Sequence, residues 1–146
     1  MNILVTGGAG FIGSNFVTYV LEHTTHTVVS FDQLTYAGSR GNLEQEGERH
    51  IFVEGDIQNE LLVLRTLDEY DIDVVVNFAA ETHVDRSIDD ASEFVATNVE
   101  GVRSLLSAVC DHPVEKFIQI STDEVYGEIR NGQSKETDKL APQNPY

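Results

Sequence analysis

Asp123 and Glu124 stand side by side, directly after Ser121 and Thr122 and just past an apolar run that ends in Ile120. Two carboxyl groups this close resist ionising together, so one can stay protonated as an acid while the other acts as a base. An isolated Asp-Glu pair is usually a solvated turn. Position favours chemistry here, because open parallel sheets place their ligands at the C-terminal ends of strands. A second candidate lies near the start of the chain. Gly7-Gly8-Ala9-Gly10-Phe11-Ile12-Gly13 follows a short apolar run ending in Thr6, with the spacing G-x-x-G-x-x-G at Gly7, Gly10 and Gly13. Glycines so placed permit a tight turn, close approach of the backbone to a pyrophosphate, and close packing of the helix that follows. That helix N-terminus offers free N–H groups and a partial positive charge. Alone, such a turn is weak evidence. Asp32, which follows Phe31 at the end of the next apolar run, strengthens it. A carboxylate there accepts hydrogen bonds from the adenosine ribose hydroxyls and repels the extra phosphate of NADP, which favours NAD. An ordinary strand-end turn is the competing reading of Asp32. Asp56-Ile57, after the third run, fits a wall of the adenine pocket, with a helix cap as the competing reading of Asp56.

The elements that would position these groups are legible in the apolar pattern. Ile3–Val5, Thr27–Phe31, Ile51–Val53, Val74–Val76 and Phe117–Ile120 read as five buried strands, apolar throughout in the manner of parallel strands covered on both faces. Helices are expected over about 11–23, 58–69 and 89–110. In the last, Val95, Asn98, Val99, Val102, Leu106 and Val109 recur on one stripe, Asp90 and Glu93 have capping-box spacing, and Pro113 marks the end. Asn98 on that stripe is better explained as an amide tying down backbone than as a catalytic group. The alternation of strands and helices gives an α/β fold with a parallel sheet and right-handed crossovers. Residues 128–146 are polar and turn-rich, and read as a loop.

Composition narrows the partners. The 146 residues carry 25 Asp+Glu against 9 Lys+Arg, a formal net charge of −16. That balance argues against nucleic acid and against anionic membrane surfaces, both of which need Lys and Arg. No apolar run approaches the ~18 residues of a membrane span. The single cysteine, Cys110, offers neither a disulfide nor a metal cluster, so no metal site is expected and a reducing cytoplasm is the default setting. Lysine is scarce, and the acidic surface fits either adaptation to high salt or an ordinary acidic protein.

Four segments carry a family resemblance. Gly7–Ser14, Asp32-Gln33-Leu34-Thr35-Tyr36-Ala37-Gly38, Ala79-Ala80-Glu81-Thr82-His83-Val84-Asp85-Arg86-Ser87-Ile88 and Ser121-Thr122-Asp123-Glu124-Val125-Tyr126-Gly127 closely resemble the dTDP-glucose 4,6-dehydratases. That family belongs to the extended short-chain dehydrogenase/reductase superfamily. The glycine segment is shared across the superfamily, whereas the last two are far more specific. Related dehydratases and decarboxylases tend to have serine in place of Asp123, and epimerases lack the acid pair.

The resemblance implies a Rossmann-type doubly wound sheet, with residues 1–127 as an NAD-binding domain and 128–146 as a loop leading to a catalytic tyrosine, Tyr146. It places Gly7, Gly10, Phe11, Ile12, Gly13, Asp32, Gln33, Leu34, Thr35, Asp56, Ile57, Ala79, Ala80, Glu81 and Thr97 around NAD. Thr82 and Thr122 would meet the sugar nucleotide, while His83 is read as structural. The implied reaction oxidises C4 of dTDP-glucose, removes water across C5–C6 and returns the same hydride to C6, so NAD stays tightly held. Asp123 is the implied acid, Glu124 the base at C5, and Tyr146 the base for the C4 hydroxyl. Relatives are commonly homodimers that pack the helix over 89–110 across their interface, and serve dTDP-rhamnose biosynthesis. In them a lysine four residues after the tyrosine, a further strand and a sugar-nucleotide domain follow. The expectation is therefore an N-terminal part of a longer enzyme, inactive by itself and prone to self-association along its last strand.

Overall fold

All five apolar runs become strands. The first, second and fourth are covered on both faces, which explains their lack of alternation, whereas the run expected as a fifth buried strand, Phe117–Ile120, lies largely exposed because it is the edge of the sheet. The computed structural model describes residues 1–43 and 47–146. Strands β1 (Asn2–Thr6), β2 (Thr27–Asp32), β3 (His50–Glu54), β4 (Val74–Asn77) and β5 (Lys116–Gln119) form one parallel sheet in the order β3-β2-β1-β4-β5. Its register pairs Val5 with Ser30 on one side and with Val76 on the other. Ile3, Val5, Val28, Val74 and Val76 point to a cluster with Val17, Val20 and Leu21 of helix α1 (Phe11–His23). Leu4, Val29, Phe31 and Val75 point the opposite way, onto Val63 and Leu67 of α2 (Glu60–Glu69) and Leu105 and Ala108 of a long C-terminal helix. Successive strand residues thus both lose water, which favours burial by about 1.5–3 kcal/mol per large side chain.

The helix ends are capped from the side. Asn59 Oδ1 accepts the Leu62 N–H at 3.1 Å and starts α2. Asp56 is not that cap; its Oδ1 accepts the Gln58 N–H at 2.9 Å in a turn just before it. At the far end of α1, Arg49 donates to the carbonyls of Leu21 and Thr24, each at 2.9 Å, satisfying acceptors that the helix leaves open.

The stretch expected as one helix over 89–110 is built differently. A short α3 (Val84–Asp89) ends before Asp90, and α4 (Ser92–Val95) then runs through a π-helical stretch, Ala96–Gly101, into α5 (Val102–Asp111). The capping box does not form. The Asp90 N–H goes back to the Arg86 carbonyl and the Glu93 carboxylate goes to Arg86. The buried stripe is also the other one: Phe94, Gly101, Ser104, Leu105 and Ala108 face inward, while Val95, Val99 and Leu106 are exposed. Small residues let this helix lie close to its neighbours, as a Cβ on Gly101 would come within 2.6 Å of Ile57 Cδ1. Such residues carry little hydrophobic signal, which is why periodicity pointed to the bulkier stripe. β5 is an edge strand with Ile118 exposed, and residues 128–146 contain neither helix nor strand. Among the described residues no helix is long and apolar enough to cross a membrane.

Candidate functional site

β1 lies between β2 and β4, so connections diverge on either side of it and a crevice opens above the ends of β1 and β4. The glycine turn sits in that crevice. Gly7 has φ +66, and a Cβ there would approach the Ala79 backbone nitrogen to 2.6 Å; a Cβ on Gly13 would run into the Gly7 carbonyl oxygen. The turn is closed by the Gly10 N–H on the Gly7 carbonyl at 3.1 Å and anchored by the Gly7 N–H on the Phe31 carbonyl at 2.8 Å. The first turn of α1 has no acidic side chain, so this N-terminus remains suited to an anion in a chain of net charge −16.

Asp32 holds its strand-end turn and keeps acceptor capacity to spare. It is buried at 8 % exposure, with Oδ2 accepting the Ala9 N–H at 2.9 Å and Oδ1 the Leu34 N–H at 2.8 Å. An ionised carboxylate has about four acceptor sites, so these bonds brace the glycine turn and leave capacity for hydroxyl donors. Asp32 lines one cleft together with Gly7, Gly10, Gln33, Thr35, Asp56, Ile57, Ala79, Ala80, Glu81 and Thr97. Phe11 and Ile12 stand exposed on the first turn of α1, and neither they, Gly13 nor Leu34 line this cleft. Leu34 instead takes a left-handed turn at φ +57, held by Asp32. Ala37, Gly38 and Gly55 also line the cleft, and sequence reasoning missed them. A glycine directly after a strand was the available signal for Gly55, where a Cβ would press on Phe31.

A second cleft opens over β4 and β5, lined by Ala79, Ala80, Asn98, Val102, Gln119, Ile120, Ser121, Thr122, Val125 and Tyr146. Ala79 and Ala80 belong to both clefts, so the two run together. Asp123 and Glu124 sit beside this cleft on a single 3-10 turn, Asp123–Tyr126, capped by Thr122, whose Oγ1 accepts the Glu124 N–H at 3.1 Å. Asn144 donates from Nδ2 to Glu124 Oε2 at 2.8 Å, and the Tyr146 ring meets Phe94 edge-on at 6.3 Å. Those contacts bring the acid pair and the tyrosine to one end of the sheet. Thr82 is exposed ahead of α3 and lines neither cleft. Asn98 matches its bland reading: it donates to the Glu81 carbonyl at 2.8 Å and accepts the Glu81 N–H at 2.9 Å.

The sequence model of a family described as GDP-mannose 4,6 dehydratase matches residues 4–146. The chain belongs to that family. It is 57 % identical to the low-salt glycan biosynthesis protein Agl12 of Haloferax volcanii, over 100 % of this chain and 47 % of that protein. It is 48 % identical to a dTDP-glucose 4,6-dehydratase of Xanthomonas campestris pv. campestris, over 98 % of this chain and 44 % of that one. Among solved structures, the dTDP-glucose 4,6-dehydratase DesIV of Streptomyces venezuelae, with NAD and TYD bound, superposes with TM-score 0.94 at 46 % identity, covering 100 % of this chain and 47 % of DesIV. A Brucella ovis UDP-glucose 4-epimerase in complex with NAD superposes at 0.90 with 32 % identity, over 99 % of this chain and 43 % of that chain. The chain thus spans just under half the length of the curated relatives it matches.

Beneath the two clefts of this family member runs a polar chain that the sequence reading did not pick out. Thr6 Oγ1 donates to Asn77 Oδ1, which also accepts the Ala79 N–H at 3.1 Å, and Asn77 Nδ2 donates to Gln119 Oε1 at 2.8 Å. Asn77 is fully buried, so each of these bonds replaces water. They tie the ends of β1, β4 and β5 together directly below Ala79. The signal was one amide closing the apolar run Val74-Val75-Val76.

Proposed function

We propose that the whole protein is an NAD-dependent dTDP-glucose 4,6-dehydratase and that these residues form its NAD-binding part. One observation carries the reading. The acid pair and Tyr146 stand at the end of the sheet where their cleft joins the glycine-turn cleft at Ala79 and Ala80. The glycine turn fits a dinucleotide: without side chains Gly7 and Gly13 pack tightly on their neighbours, and Gly7 and Gly10 line the cleft with bare backbone that a diphosphate can approach. Asp32 would take the ribose hydroxyls, and the open end of α1 the diphosphate. Gln33, Thr35, Asp56, Ile57, Glu81 and Thr97 would wall the adenosine end, and Phe11 and Ile12 would cover the diphosphate from outside.

Bound NAD would supply the hydride acceptor at C4 and the hydride donor at C6. Tyr146 takes the C4 hydroxyl proton as that carbon is oxidised. The new carbonyl acidifies C5–H, Glu124 removes that proton, and Asp123 protonates the C6 hydroxyl so that it leaves as water. Thr122 holds the sugar, with Thr82 reaching it from the loop ahead of α3. An epimerase needs only the tyrosine step, so the Asp123–Glu124 pair favours a dehydratase. Exposure of Val95, Val99 and Leu106 supports a homodimer formed on that helix face. The lone, exposed Cys110 suits a reducing cytoplasm.

Calorimetric titration of the chain with NAD, with and without dTDP-glucose, tests the reading. Binding of NAD and a response to the sugar nucleotide are expected. NAD binding that ignores dTDP-glucose would favour a non-catalytic dinucleotide module, and no NAD binding would sink both.

A further inference from the structure

Four side chains span the mouth of the glycine-turn cleft and join the loop after β2 to the distant segment that carries Glu81, Arg86 and Glu93. Tyr36, on the loop after β2, donates its phenol O–H to Glu81 Oε2, on the loop after β4, at 3.1 Å. The Arg86 guanidinium of α3 lies 4.5 Å over the centre of the Tyr36 ring, and Arg86 Nη2 is 3.2 Å from Glu93 Oε2 on α4. Partial desolvation, and then the neighbouring Glu81, raise the Tyr36 phenol pKa above its ordinary value against the opposing pull of Arg86. Gln33, Thr35, Glu81 and Thr97 line both the cleft and the hollow beneath these side chains. The contacts therefore bridge the two walls of the adenosine end.

Packing of the fold does not explain them. Tyr36 is 61 % exposed, and none of the four belongs to either buried cluster. What they connect are the two walls that must part before a rigid ring system can leave. A reaction that lends a hydride and takes it back has no need to exchange its dinucleotide between turnovers, so slow release does not limit it.

We propose that the Tyr36–Glu81–Arg86 clasp closes the adenosine end of the cleft and sets how slowly the dinucleotide leaves. This rests on the NAD reading above, with Tyr36 and Arg86 as positioning residues that act through the wall loops.

The test is stopped-flow release of NADH, followed by its own fluorescence and chased with excess NAD. Arg86→Ala and Tyr36→Ala are each expected to speed release about 5–30-fold, the factor carried by losing one or two such contacts. Association rate and the melting temperature of the ligand-free chain should hold. The double variant should release no faster than the faster single one, because both changes break the same contact. Tyr36→Phe, which keeps the ring under Arg86 but not the phenol, should fall between. Failure of the unmodified chain to bind NADH overturns the NAD reading and the clasp together. Binding with unchanged release in Arg86→Ala overturns the clasp alone, as does a lowered melting temperature or an additive double variant.

Discussion

The two clefts share Ala79 and Ala80 yet are built in opposite ways. The glycine-turn cleft sits over the middle of the sheet, where β1 has a strand on each side and Asp32 is buried with both oxygens engaged. The acid-pair cleft sits over β5, an edge strand whose side chains are largely exposed. Its key turn is held by the Thr122 cap and two hydrogen bonds from an irregular segment, Asn144 Nδ2 to Glu124 Oε2 and the Ala141 N–H to the Val125 carbonyl. The glycine-turn cleft is thus organised by the core, whereas the Asp123–Glu124 pair depends on contacts made around the sheet's margin. Rigidity follows how many covered neighbours a strand has.

The sharpest way to break this contrast is Gly7→Ala. It forces a side chain into a left-handed position against the Ala79 backbone, and strain plus overpacking should remove about 2–5 kcal/mol of stability in denaturant unfolding, with loss of NAD binding. Next is Asn77→Leu, which removes the acceptor of the buried Thr6 hydroxyl and of the Ala79 N–H beneath both clefts. A loss of about 1–3 kcal/mol is expected, together with weaker NAD binding by calorimetry. Val99→Glu with Leu106→Glu should leave folding unchanged within about 0.5 kcal/mol, since both sites are exposed, but should abolish the dimer formed through this helix face in sedimentation, leaving any association along the β5 edge. The smallest effect belongs to Asn144→Ala. Removing its single bond to Glu124 should lower global stability by no more than about 1 kcal/mol while making residues 128–146 quicker to cleave by protease. An equal protease response in Asn77→Leu and Asn144→Ala would erase the distinction between the two regions.

Much of this was legible in one dimension. The strands at Ile3–Val5 and Val74–Val76 were visible because parallel strands bury every residue, and α1 begins at Phe11 because the glycine turn ends there. Asp32 could be singled out from its place at a strand end. Less legible was the helix face between Ser92 and Asp111, where the packed residues are small and the exposed ones bulky. Its π-helical stretch was also hidden, and so was the close approach of Gly101 to Ile57, which joins segments far apart in sequence. The amide chain through Asn77 was missed for a similar reason: its partners come from three strands, and no spacing within one strand reveals them.

By itself, then, the sequence determined the α/β class, the glycine turn, the carboxylate after β2 and the adjacent acids after β5, since each depends on local spacing and local conformational limits. Tertiary structure alone decided which helix stripe is buried, that Asn98 pins Glu81, that Asn144 holds Glu124, and that Tyr36, Glu81 and Arg86 meet across a cleft mouth. Those outcomes depend on contacts between segments whose distance in space is set by how five strands are ordered in a sheet, and strand order is not a local property of any of them.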